Sequence, residues 1–81
     1  MAKYYEIELG VSTDKGVEKH WLSPVCIKAY HYPTVEEVEE LLEEDMKRYG
    51  QDCVIGISYI TKSEAKTSYD IDAFGTKYTI Y

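Results

Sequence analysis

The chain is poor in the residues that announce a class. Cysteine, proline and methionine occur twice each in 81 residues, and phenylalanine and tryptophan once each. Two cysteines, Cys26 and Cys53, are too few for a disulfide scaffold. Each lies in an apolar, β-rich stretch, Pro24-Val25-Cys26-Ile27 and Cys53-Val54-Ile55. Both are expected to be reduced thiols that pack as small hydrophobes. A bond between them would require their strands to be neighbours. No apolar run approaches the ~20 residues of a membrane span. The N-terminus, Met1-Ala2-Lys3-Tyr4-Tyr5-Glu6, meets Glu6 and Glu8 where a secretory leader needs an unbroken apolar core. The expected location is the cytoplasm. Bases are also in the minority, 9 against 15 acids, for a formal net charge of −6. That balance argues against a uniformly basic nucleic-acid binder and against attachment to anionic lipid by charge alone. The length allows one domain over 1–81, since so short a chain cannot build two separate cores.

Hydrophobic residues make up 44% of the chain, enough for a globular core, and nine of them are tyrosines. Residues 3 to 12 alternate. Tyr5, Ile7, Leu9 and Val11 face one way; Tyr4, Glu6 and Glu8 face the other, which predicts a half-buried strand. Ser12-Thr13-Asp14-Lys15-Gly16 has the composition and length of a hairpin loop. A returning strand is expected from Val17 to Leu22. Ser23-Pro24 should bend or bulge it, and Val25 to Tyr30 resumes the alternation.

Tyr32-Pro33 ends that strand and Thr34 opens a helix. Thr34 and Glu37 have the spacing of a capping box. Val35, Val38, Leu41, Leu42, Met46 and Tyr49 then draw one apolar stripe. Lys47 and Arg48 stand in the last turn, where the helix dipole favours cations, and Gly50 is the expected C′ residue. The spacing predicts a helix over 35–49. Cys53 to Lys62 is β-rich and apolar on both faces, which predicts a central strand, with Gly56 marking a bulge or a close approach of the helix. Ser63-Glu64-Ala65-Lys66 reads as a turn. Thr67 to Phe74 alternates as a further strand, and Lys77 to Tyr81 is a last short strand or its continuation. The expected fold is an α+β two-layer sandwich in β-β-α-β-β order. It has an antiparallel sheet of four to five strands and one helix on one face. The other sheet face should stay open, a natural place for tyrosines.

The charge is concentrated. Between Glu36 and Asp45 stand seven acids, Glu36, Glu37, Glu39, Glu40, Glu43, Glu44 and Asp45, with no base among them. The remaining residues hold eight acids and all nine bases. A helix selected only for stability would mix signs, because like charges at i, i+4 repel. An electronegative face of this kind can imitate a phosphate backbone or dock on a basic groove. It can also serve simply as a solvated face that keeps the chain soluble.

Other constellations are weaker. His20, Cys26, His31 and Cys53 lack the paired spacing of a metal site, and His20 and Cys26 would stand ~20 Å apart on an extended strand. No cofactor is implied. No Cys–His pair carries the spacing of a nucleophilic enzyme, and one helix on one small sheet leaves little room for a pocket, so an enzyme is not expected. Asp70-Ile71-Asp72 places two carboxylates about 7 Å apart on one strand face, where an ion could bind or the charge could merely guard an edge. Lys28, Tyr30 and Tyr4 could share the open sheet face and stack single-stranded bases, but Glu6 and Glu8 would share it too.

The 81-residue length, the tyrosine-rich strands and the acidic helix between Thr34 and Gly50 together resemble the small acidic inhibitor proteins of phages and mobile elements, of the anti-CRISPR and anti-restriction kind. The resemblance is one of size and charge. It implies a non-enzymatic protein, acting in the host cell cytoplasm, that occupies a basic nucleic-acid-binding surface of a protein partner. Glu36, Glu39, Glu40, Glu43 and Glu44 are the candidate contacts, with Tyr30 and Tyr32 as flanking anchors. The alternative is a self-associating module, a homodimer joined through the tyrosine-rich open face. A single-stranded nucleic-acid binder is the more distant alternative.

Overall fold

The computed structural model describes residues 2–19, 24–71 and 78–81. Its elements run β1 (Lys3–Thr13), β2 (Gly16–Lys19), β3 (Val25–Ala29), α1 (Val35–Leu41), α2 (Glu43–Arg48), β4 (Cys53–Ile60), α3 (Lys62–Tyr69) and β5 (Thr79–Ile80). The expected α+β architecture is present: one mixed sheet with helices against it. β1 is the central strand. β4 pairs antiparallel along one edge of it, from Tyr4↔Ile60 to Gly10↔Cys53. β2 and β3 lie end to end along the other edge. β5 joins β3 in parallel, so the sheet is not wholly antiparallel as expected, and 79–80 form a separate strand.

The predicted interruption near Ser23-Pro24 shows in the register on either side of it. Gly10 pairs with Lys19, whereas Ile7 pairs with Val25. Three residues on β1 thus correspond to six on the returning chain. Residues 20–23 themselves, including His20 and the end of the expected strand over 17–22, lie outside the described residues. A second register shift falls opposite Glu8 and Leu9, which pair with Gly56 and Val54 and leave Ile55 as the extra residue. The expected bulge is therefore beside Gly56.

The alternation of β1 divides the molecule into two cores. Tyr5 and Ile7 face α1 and α2 and are buried with Ile27, Ala29, Val38, Leu42, Met46 and Ile80. Val38, Leu42 and Met46 are spaced i, i+4, i+8, the stripe read from the sequence. The helix begins as predicted. Thr34 Oγ1 accepts from the Glu37 N–H at 3.1 Å, and Glu37 Oε1 accepts from the Thr34 N–H at 3.0 Å. It ends as predicted too: Gly50 takes φ +69, the Gln51 N–H donates to the Met46 carbonyl at 2.8 Å and the Gly50 N–H to Lys47 at 3.3 Å. These two bonds form a Schellman motif. Between the ends, Leu42 leaves helical geometry at φ −100, ψ 9, dividing the expected helix into α1 and α2. The bonds from Leu42 N–H to Val38 and from Met46 N–H to Leu42 carry the chain across this kink.

Several expectations are corrected in the second half of the chain. β4 is at the edge: among the described residues it pairs with β1 alone. It is apolar on both faces because each face meets a different core, Val54 and Ile57 the helix side and Ile60 the other. The turn at 63–66 and the start of the strand expected over 67–74 are a helix, α3. Its N-terminus repeats the capping box of α1, with Thr61 in place of Thr34 and Glu64 in place of Glu37. Accordingly, the second sheet face is not left open: α3 covers part of it, burying Ala65 with Cys26, Ile60 and Ile71 beside Tyr4 and Tyr69. Asp70 is the left-handed C-cap of α3, at φ 51, and is not on a strand. Asp72, Phe74 and Gly75 lie outside the described residues.

Gly10 stands where the hairpin and β4 converge on β1. A Cβ there would come 2.7 Å from the Glu18 carbonyl oxygen and 3.0 Å from the Ile55 side chain. Gly10→Ala is expected to cost about 1–3 kcal/mol through this overpacking. Thr61→Ala removes the cap of α3 and is expected to cost about 1 kcal/mol. Urea unfolding followed by circular dichroism measures both. A midpoint unchanged in Thr61→Ala would show that the cap contributes nothing.

Candidate protein-binding surface

The buried stripe Val38, Leu42 and Met46 fixes the rotation of the acidic helix and turns Glu36, Glu40, Glu43 and Glu44 to solvent. Glu39, on the flank, is half-buried. Local structure engages three of the seven acids. Glu37 caps its own helix and also meets His31 Nε2 at 2.8 Å. The Thr34 N–H, followed by His31, holds its carboxyl below the usual range. Glu43 pairs with Lys47 at 3.1 Å, so one base stands on the acidic face just beyond the acid run. Asp45 is half-buried and also partnered. Among the described residues, no cation lies within ion-pairing distance of Glu36, Glu39, Glu40 or Glu44.

Two hollows flank the helix. One, of about 450 Å³, is lined by Glu39, Glu40, Glu43, Met46, Gln51 and Asp52, with Lys47. The other, of about 380 Å³, includes Glu44, Asp45, Arg48 and Tyr78, and again Glu40 and Glu43. Glu40 and Glu43 thus form a ridge between two concavities. Asp52 binds the helix end to the hairpin, since its Oδ1 accepts from the Ser12 N–H at 2.8 Å. This bond keeps its carboxyl below the usual range.

The two tyrosine anchors both line a hollow of about 230 Å³ with Lys3, Tyr5 and His31, but their rings are held by different parts of the fold. Tyr32 flanks the helix N-terminus on the β4 side. Its ring meets Tyr5 edge-on at 5.4 Å, and its hydroxyl donates to the Ile57 carbonyl at 3.3 Å. Tyr30 belongs to the β5 side. Its N–H donates to Ile80, its ring stacks on Tyr81 at 5.5 Å, and the Lys28 ammonium lies 5.7 Å from its centroid. Tyr4, expected beside Lys28 and Tyr30 on an open face, is half-buried against the α3 cluster.

Neither cysteine is in a disulfide, and β3 and β4 lie on opposite edges of β1, so the two are not strand neighbours. Burial, and then Glu6, push the Cys26 thiol up; burial likewise raises Cys53. Both are therefore poorly disposed to form thiolates. Among the described residues, no three His, Cys, Asp or Glu side chains gather into a metal-holding group.

Sequence reasoning missed a hollow of about 460 Å³ between the start of α1 and the edge of the sheet, lined by Tyr32, Val35, Val54, Ile55 and Ile57, among others. Its signal was present: β4 contains no charged residue. Comparison with protein-family models, with curated proteins and with solved structures finds no match to this chain.

On the opposite sheet face, burial and the neighbouring Glu6 carboxylate push the Tyr69 phenol up to about 12. The folded chain disfavours the phenolate. Tyr69's stabilising contribution is therefore complete below the ~10 of an unfolded tyrosine and lost as pH rises through about 12. Ultraviolet titration should show a late-ionising step that Tyr69→Phe removes. Persistence of that late step in the variant would assign it elsewhere.

Proposed function

We propose that this chain is a non-enzymatic binding protein that acts through its acidic helix. Glu36, Glu39, Glu40, Glu43 and Glu44 occupy a basic, nucleic-acid-binding surface of a protein partner, as a phage-type inhibitor would. The observation that carries this reading is that Glu36, Glu39, Glu40 and Glu44 have no cation within ion-pairing distance among the described residues. At 1.5 Å per residue these four charges span about 12 Å, roughly 4 Å from one to the next. A single DNA strand carries one per ~3.4 Å. Lysines and arginines arranged for phosphates would meet a similar charge density here, on a helix whose orientation the core already holds.

Preorganisation supports the same reading. The acids stand on a helix capped at both ends and packed through Val38, Leu42 and Met46, so binding requires little ordering of the backbone. Tyr32 adds an exposed aromatic anchor at the helix start. On this reading the chain acts in the cytoplasm, beside a partner that handles nucleic acid. Among the described residues, no helix is long and apolar enough to cross a membrane.

The double variant Glu36→Lys, Glu40→Lys leaves the buried stripe and both caps in place. With a partner recovered by affinity capture, titration should show at least about a tenfold loss of affinity, and the slope of log affinity against log salt should become shallower. Circular dichroism should be unchanged. Undiminished binding by the folded double variant would refute the acidic-helix reading.

A further inference from the structure

We propose that the outer edge of β4 is a homodimer interface. In this dimer β4 pairs antiparallel with β4 of a second copy, about a two-fold axis at Ser58, and joins two sheets into one. The proposal is independent of the acidic-helix reading. It moves self-association from the sheet face, where α3 stands, to the sheet edge.

Hydrogen-bond parity sets out the edge. The N–H groups of Lys28 and Tyr30 donate to the carbonyls of Tyr78 and Ile80, on the β5 side. Val25, Ile27 and Ala29 therefore turn their backbone groups to Ile7, Tyr5 and Lys3 of β1. Tyr4, Glu6 and Glu8 are left to bond β4 at Ile60, Ser58 and Gly56. Ile57 and Tyr59 consequently direct their N–H and C=O away from the sheet. The Tyr32 hydroxyl on the Ile57 carbonyl lies where this parity puts an outward group. That carbonyl has a second lone pair for another donor. Among the described residues, no strand covers this edge.

The edge is self-complementary. With the axis at Ser58, Ile57 stands opposite Tyr59 of the second copy, and Tyr59 opposite its Ile57. Both are bonded-pair positions, so four interchain N–H···O=C bonds form. Each pair also sets a β-branched side chain against an aromatic ring, a favourable cross-strand combination. Ser58 meets Ser58 on the opposite face without a clash of charge or bulk.

The size is that of a weak contact. In the pairing about Ser58, residues 56–60 of the two strands overlap, about 17 Å at ~3.3 Å each. Across a body whose smallest extent is 20 Å, the shared strip is on the order of 330 Å² per copy. The total of about 700 Å² is in the range of weak, reversible interfaces. Tyr59, Tyr32 and Val35 are 57%, 65% and 47% exposed and border the strip. Monomeric proteins commonly guard an edge with lysine, proline or a short strand. β4 is eight residues long and has neither residue, and its bulge at Ile55 leaves 56–60 regular.

This pairing puts both acidic helices on one side of the joined sheet. Their repulsion weakens the dimer at low ionic strength, so added salt should favour it. Binding to a basic partner responds to salt in the opposite sense, which separates the two readings experimentally.

Two measurements on the full chain decide the matter. Sedimentation equilibrium should show a monomer–dimer equilibrium across the micromolar range that tightens with salt, with at least about a tenfold weaker dimer in Tyr59→Lys. Amide hydrogen exchange on the unmodified chain needs no variant to fold. The Ile57 and Tyr59 N–H groups should gain protection as protein concentration rises, while Ser58, bonded to Glu6 in either state, should not change. A chain that stays monomeric throughout, or concentration-independent exchange at Ile57 and Tyr59, would overturn the proposal.

Discussion

Every register in the sheet traces to the pairing of β1 along both of its edges. An eleven-residue strand flanked by β4 on one side and by β2 and β3 on the other has its backbone groups engaged in both directions. Its side chains then have no choice of face. A slip of one residue would carry Tyr5 and Ile7 out of the helix-side core and drive Glu6 into it. Ile7 and Ile27, both fully buried, sit at the centre of that constraint. The acidic helix inherits its orientation from them, because Val38, Leu42 and Met46 must find the face on which they lie.

The parts of the fold legible in the sequence were those with one dominant local signal. Thr34 and Glu37 marked a helix start, Gly50 its end, and the alternation from Tyr4 to Val11 a strand. The second capping box, Thr61 with Glu64, was equally present in the sequence but competed with the alternation of Tyr69, Ile71 and Ala73. Packing decided the contest: Ala65 and Tyr69, four apart, fall on one helical side and cover Cys26 and Ile60. The edge position of β4 was hidden for another reason. An apolar residue shows only that something covers it, and cover by a helix reads the same as cover by a sheet.

The binding surface was legible in outline and not in detail. Counting acids located the face, since solvent exposure follows from the stripe opposite. Counting could not show that Glu37, already engaged in its cap, also meets His31, or that Lys47 reaches back to Glu43. Nor could it separate Tyr30 from Tyr32. Two residues apart in sequence, they are held by opposite margins of the sheet, one by Ile80 and the other by Ile57.

β2 reaches past the rest of the body. The residues from Ser12 to Glu18 are all exposed, and Thr13 closes the turn by donating its hydroxyl to the Gly16 carbonyl at 2.8 Å. Neither core draws on this tip. Segments of this sort accept added sequence at little thermodynamic cost. The hairpin is thus the natural attachment point for a fluorophore or a surface tether, and a label there would leave both the acidic ridge and the β4 edge in their native surroundings.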